Sequence, residues 1–145
     1  MKSAEVPDGP LLVDTDVFSY LFAEHRGQAD FRPLLRGRLL CMSFASYAEA
    51  LCLGYQRGWG GTRMAKLRSA LRHYVVLPYD EAVAEQWAPM HVKLRGHLHN
   101  GGANDLWTAA CALAQPKPLP IATNNLNDFQ AIAKHFPVQL VHPDL

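Results

Sequence analysis

The chain contains no long apolar run. No segment approaches the ~18 uncharged apolar residues that cross a bilayer, so a membrane-spanning role is not expected. The opening residues, MKSAEVPDGP, carry Glu5 and Asp8 and lack the apolar centre of a secretory leader, and a soluble cytoplasmic protein is expected. Cysteine is scarce. The three cysteines, Cys41, Cys52 and Cys111, lie far apart and form no CxxC pair, which argues against a disulfide framework and for reduced thiols packed in the core. An excess of one charge is also missing: 14 Lys and Arg oppose 13 Asp and Glu, a formal net charge of +1, so the whole molecule carries no bias toward polyanions. Internal repeats and low-complexity tracts are absent. What remains, 145 residues of which 49% are hydrophobic, suits one domain, with residues 1–10 as a loose N-terminal segment.

Short apolar runs recur at Leu11 to Val13, Leu39 to Met42, Tyr74 to Leu77, Leu119 to Ala122 and Val138 to Val141, and are read as strands. Between them apolar residues return at helical spacing, as in Tyr47, Leu51 and Tyr55, then Leu67 and Leu71, then Leu106, Ala109, Ala110 and Leu113. Such alternation requires crossover connections. The fold class is α/β, a mostly parallel central sheet of about five strands flanked by helices on both faces. A helix from Asp80 to about Arg95 contains Pro89, which should kink or divide it. Gly58, Gly60 and Gly61 bracket Trp59 as a turn that should leave the indole exposed, whereas Trp87 and Trp107 are expected to be packing residues. The glycine-rich stretch from Gly96 to Gly102 makes another turn, and its His97-x-His99 pair reads as a solvent loop rather than a metal site.

Asp14 and Asp16 follow the first strand directly, where open parallel sheets present ligand sites, although either one would also cap a helix opening near Val17. Glu49 is the only charge between Leu39 and Gln56. It fits a capping box with Ser46, but Ser43 is the better placed N-cap if the helix begins at Phe44. Asp105 opens an alanine-rich stretch, and Asp128 lies just past the fourth strand; both positions are first turns, which favour acids through the helix dipole. Asp14, Glu49, Asp105 and Asp128, each at the C-terminal edge of the sheet or on the helix leaving it, can converge on one crevice. Carboxylates ~4 Å apart repel by ~4 kcal/mol at an effective dielectric of ~20, and a divalent cation removes that cost. An all-oxygen set with no supporting His or Cys points to Mg²⁺, with Mn²⁺ as a substitute, rather than zinc.

Four blocks in order, LLVDTDVFSYLF, SFASYAEALCLG, NDLWTAACAL and LPIATNNLNDF, resemble the PIN-domain ribonucleases and, within them, the VapC-type toxins of toxin-antitoxin pairs. The resemblance covers nearly the whole chain, residues 1–145 as a single PIN domain. It implies that Asp14, Glu49, Asp105 and Asp128 are the catalytic and metal-holding acids, that Thr123 and Asn125 support them, and that Asp16, where many relatives carry Asn, acts through water. The implied activity is that of an Mg²⁺-dependent endoribonuclease, a hydrolase in which metal-activated water attacks phosphorus and leaves 5′-phosphate and 3′-hydroxyl ends. The implied partners are RNA, a cognate antitoxin and a second copy in a homodimer, with operator DNA left to the antitoxin.

The neutral total hides a basic half. Between His25 and Val75, nine Lys and Arg face two acids, a local charge of +7, and Arg36, Arg38, Arg63, Arg68 and Arg72 are candidates for RNA phosphates, with an ordinary solvated face as the alternative. Two other functions remain open. One is a haloacid-dehalogenase-like phosphatase, suggested by Asp14-x-Asp16-x but poorly served by Lys93 and Lys117; the other is a non-catalytic PIN fold used as an RNA or protein interaction module.

Overall fold

Leu11, Leu12 and Val13 are wholly buried, as a central strand covered on both faces must be. They form β1 (Leu11–Val13) in a computed structural model that describes residues 6–98 and 103–145. The chain continues through α1 (Thr15–Phe22), α2 (Gln28–Leu35), β2 (Leu40–Ser43), α3 (Phe44–Gln56), α4 (Gly61–Leu71), β3 (Val75–Leu77) and α5 (Glu81–Leu94). It ends with α6 (Ala103–Ala114), β4 (Ile121–Ala122), α7 (Leu126–Ala133) and β5 (Leu140–Val141). Every strand pair is parallel, in the order β3-β2-β1-β4-β5, with Leu11 opposite Leu40 and Leu12 opposite Ile121.

Strand alternation sorts the core into two layers. Leu12, Ile121 and Leu140 meet Met90, Leu106 and Phe129 from α5, α6 and α7, while Leu11, Val13 and Met42 meet Val17, Phe31 and Leu67 from the other helices. The five expected strands are present with trimmed ends. Leu39 is 57% exposed, and Pro120 has no N–H to offer, although its carbonyl still accepts from Leu12 N.

Several expectations are corrected. Cys52 is exposed, while Cys41 and Cys111 are buried in the core. α5 runs undivided through Pro89, because Val83, Met90 and Leu94 are buried on one side of it, and their burial at ~1.5–3 kcal/mol each outweighs the ~3 kcal/mol cost of an internal proline. Of the expected loose segment 1–10, residues 1–5 lie outside the described residues; in the remainder Val6 is buried, and the Arg38 guanidinium donates to the carbonyls of Pro7 (2.7 Å), Gly9 (3.2 Å) and Val6 (3.4 Å). Trp59 is half-buried, its ring packed on Phe22 at 5.6 Å with the Arg63 guanidinium 4.1 Å over it. Gly96, at φ +91°, ends α5 as a left-handed residue; His99 and the rest of that glycine-rich turn lie outside the described residues.

Ser43 caps α3, its hydroxyl accepting from Ser46 N at 3.0 Å and meeting Thr108 Oγ1 at 3.1 Å, all fully enclosed. Ser43→Ala removes the cap and leaves the buried Thr108 hydroxyl with only the longer 3.3 Å contact to Ser46 Oγ, and should lower stability by about 1–2 kcal/mol in urea unfolding. A change below a few tenths would place the origin of α3's stability elsewhere.

Candidate active site

The strand order reverses between β1 and β4, and open parallel sheets bind ligands at such a switch point, beyond the carboxyl ends of the strands. Asp14 leaves β1 at this point. Its Oδ1 accepts from Thr15 N at 2.9 Å, so it caps α1, while its Oδ2 accepts from Thr123 Oγ1, which follows β4, also at 2.9 Å. The capping and site readings of Asp14 are therefore both true of one side chain. Asp16 accepts from Val17 N at 2.7 Å and from Asn124 N at 3.0 Å.

Asn125 opens α7 and joins the next two acids. Its Nδ2 donates to Asp105 Oδ2 at 3.1 Å and to Asp128 Oδ2 at 3.2 Å, and its own N–H donates to Thr123 Oγ1 at 3.0 Å. Glu49 stands across the crevice on α3, exposed, with its Oε2 accepting from Asn104 Nδ2.

Burial and crowding make the charged forms costly. Burial, resisted by the bonds from Thr123 and Thr15, pushes Asp14 up to about 6, with the Glu49 charge adding to the rise. Burial and then the Asp14 charge push Asp16 up to about 7. Asp105 rises to about 8, through burial and then the charges of Asp14 and Asp128. Among the described residues no Lys or Arg forms an ion pair with Asp14, Asp16, Glu49 or Asp105; neutral amides and hydroxyls hold them instead.

This donor set fits a hard divalent cation in its chemistry, being all oxygen and electrostatically uncompensated. It is not closed into a coordination shell: among the described residues no three His, Cys, Asp or Glu side chains group tightly enough to hold an ion. Thr123, Asn125 and Asn104 satisfy the carboxylates separately.

The structure brings Asp14, Asp16, Asp105, Asp128, Thr123 and Asn125 into one bonded group, with Glu49 facing it. The basic candidates are placed differently. Arg36 and Arg38 precede β2 and Arg72 precedes β3, at the end where the strands begin, and Arg38 is occupied with the N-terminal carbonyls. Arg68 donates to Tyr55 OH at 2.7 Å, and Arg63 covers Trp59. Arg57, not singled out by sequence, borders a 360 Å³ cavity with Asp16.

Sequence reading also missed a second tier of groups. Ser46 lies close enough to Asp14 to favour its charged form slightly, and its hydroxyl meets Thr108 Oγ1 at 3.3 Å. Asn124 donates through Nδ2 to Tyr20 OH at 2.8 Å, and its Oδ1 meets His142 Nε2 at 3.1 Å. Because His142 Nδ1 accepts from Asp144 N at 3.0 Å, Nε2 is the protonated nitrogen and donates to Asn124. No local pattern announces these residues, since they meet only through the sheet order.

Residues 11–134 match the family model of the PIN domain, and the chain belongs to that family. No curated protein sequence matches it at a significant level. Among solved structures it is similar to VapBC-1 from nontypeable Haemophilus influenzae (TM-score 0.72, 22% identity, 94% of this chain and 99% of that one). It is also similar to VapBC2 from Rickettsia felis bound to a promoter DNA fragment (TM-score 0.71, 18% identity, 90% and 96%). A third is VapBC-5 from Mycobacterium tuberculosis, described as a member of the VapBC family of toxin-antitoxin systems (TM-score 0.65, 24% identity, 92% and 98%). At these identities the likeness establishes the fold. Lys117, which the phosphatase alternative would require at the acids, borders a cavity with Pro7 and Pro10 at the other end of the strands.

Asp14, Asp16 and Asp105 all have folded-state pKa values above the ordinary 3.8. Their neutral forms are thus favoured in the native state, so the stability they allow is complete below about pH 4 and is lost as pH rises through about 6, 7 and 8. In EDTA the melting temperature should fall between about pH 5 and pH 8.5; millimolar Mg²⁺ should flatten the fall, and Asp105→Asn should shrink it. A melting temperature that rises with pH across that window would contradict the crowding.

Proposed function

We propose that this chain is a metal-dependent endoribonuclease that acts as the toxin of a toxin-antitoxin pair. The observation that carries the reading is the crowding of Asp14, Asp16 and Asp105 at the switch point with raised pKa values and no basic partner among the described residues. Membership of the PIN-domain family supports it, as does likeness to structures named as toxin-antitoxin complexes. Its partners would be RNA, a cognate antitoxin and a second copy of the chain, in the cytoplasm. Operator contact would belong to the antitoxin.

Asp14, Glu49, Asp105 and Asp128 would hold Mg²⁺, or Mn²⁺ in its place. The ion, when bound, would polarise the scissile phosphate and lower the pKa of an attacking water. The chain's own groups prepare that site. Thr123 and Thr15 fix both oxygens of Asp14, and Asn125 holds Asp105 beside Asp128. Asn104 orients Glu49 from across the groove. A carboxylate of the group accepts the water's proton, so the ribose 2′-hydroxyl is not the nucleophile.

A second reading, a non-catalytic PIN fold, draws on the unclosed coordination shell. Substitution separates the two. Asp14→Asn, Glu49→Gln and Asp105→Asn should each reduce Mg²⁺-dependent cleavage of single-stranded RNA by about a hundredfold or more without unfolding the protein, and Asp128→Asn should lose less, because Asn125 remains beside it. Near-normal activity of any of the first three at saturating Mg²⁺ would remove that residue from the site, and RNA binding without cleavage by the unaltered protein would favour the non-catalytic reading.

Product chemistry tests the nucleophile. A substrate with a single 2′-deoxy nucleotide on the 5′ side of the scissile bond should still be cut, with at most a few-fold loss from a missing 2′-hydroxyl contact. The downstream fragment should ligate to an RNA 3′-hydroxyl without kinase treatment. A 2′,3′-cyclic phosphate end would rule out water attack.

A further inference from the structure

Beside the acids lies an open groove of 770 Å³ between α1, α3 and α6, bordered by Asp16, Glu49, Gln56, Asn104, Phe44 and Trp107. Asn104 and Trp107 are one helical turn apart and share a face of α6, so the indole stands next to the amide that holds Glu49. Trp107 is fixed. Trp87 stacks on it at 4.5 Å and 9°, while Phe44 at 5.5 Å and Tyr79 at 6.0 Å meet it edge-on, and what remains of its surface borders the groove.

We propose that Trp107 and Phe44 form a stacking site for one unpaired nucleobase of the RNA strand, next to the phosphodiester that is cut. The inference rests on the ribonuclease reading and adds to it a substrate form: a strand whose base is free to leave its neighbours. A rigid aromatic wall loses little conformational entropy on binding, and every base offers it a π-face. The surroundings suit a heterocycle better than an apolar side chain, because the Asn104 and Gln56 amides and the Ser19 hydroxyl offer both donors and acceptors to polar base edges. The groove also continues in the direction a strand needs. Asp16, Ser19 and Leu53 border both it and the neighbouring 360 Å³ cavity, which carries Arg57. Along α3 and its C-cap the order is Phe44, Glu49, Arg57, and it matches base, scissile phosphate and following phosphate.

The test uses a short single-stranded oligoribonucleotide with one mapped cleavage site, prepared intact and with abasic riboses placed singly at each position flanking the bond. One abasic position should lower kcat/KM by about tenfold or more, chiefly through KM. Trp107→Leu should lose a similar factor on the intact strand and nothing further on that abasic strand, whereas Trp107→Tyr should keep most of the activity. Tolerance of every abasic position, or independent losses from variant and substrate, would overturn the stacking site while leaving the ribonuclease reading in place.

Because Trp107 also packs on Trp87, the abasic series on the unaltered protein decides the matter if Trp107→Leu does not fold. If the unaltered protein cuts no RNA, the ribonuclease reading fails, and fluorescence anisotropy of the labelled strands in EDTA decides the stacking site alone. Weaker binding of one abasic strand would support it; equal binding of all strands would overturn it and leave the wall to an apolar segment of a protein partner.

Discussion

The mutual repulsion of buried carboxylates at one edge of the sheet is the constraint around which the rest of this molecule is arranged. A buried acid is ordinarily neutralised by a Lys or Arg, and such a pair would be permanent. Here Asp14, Asp16 and Asp105 are approached by Thr123, Asn124 and Asn125, which lower the cost of burial by hydrogen bonds without cancelling charge. Under the proposed function, a removable cation would relieve the repulsion that is left, and a neighbouring Arg would compete with it.

That arrangement needs backbone precision, and the sheet supplies it. Parallel strands place every following loop at the same edge, and the reversal of order beside β1 brings the residue after β4 against the residue after β1. The segment Thr123-Asn124-Asn125 then reaches four acids with two side chains and one backbone N–H. It is steadied from the other direction by His142, buried edge-on against Phe31 at 5.5 Å and bonded to Asn124. The last strand and the residues beyond it thus bear on the same loop as the first strand.

The fold was legible because its signals are local. Five apolar runs separated by helical spacing are enough to imply a parallel sheet, and Asp14, Asp105 and Asp128 declare themselves by following a strand or opening a helix. The groups that hold those acids were harder to read. Thr108 and His142 look like ordinary polar residues in apolar surroundings, and their partners are distant in sequence: Ser43 and Thr108 are 65 positions apart. Charge is a partial guide for the same reason. A run of arginines gives local density, but not direction, and Arg38 turns out to hold the N-terminal segment while Arg57, unremarkable in sequence, shares a cavity with Asp16.

Trp107 joins the two layers of this reasoning. An indole in an alanine-rich helix reads as core, and much of it is core, since Trp87 and the rings of Phe44 and Tyr79 hold it in place. Being held is what makes its remaining surface useful: a ring that cannot turn away presents the same wall to each ligand and loses no rotamer freedom in doing so. The same logic governs the carboxylates, whose oxygens are fixed by a backbone N–H, a hydroxyl and an amide. Packing and hydrogen bonding therefore act here less as sources of net stability than as means of holding charged and aromatic surfaces in positions they would not otherwise keep.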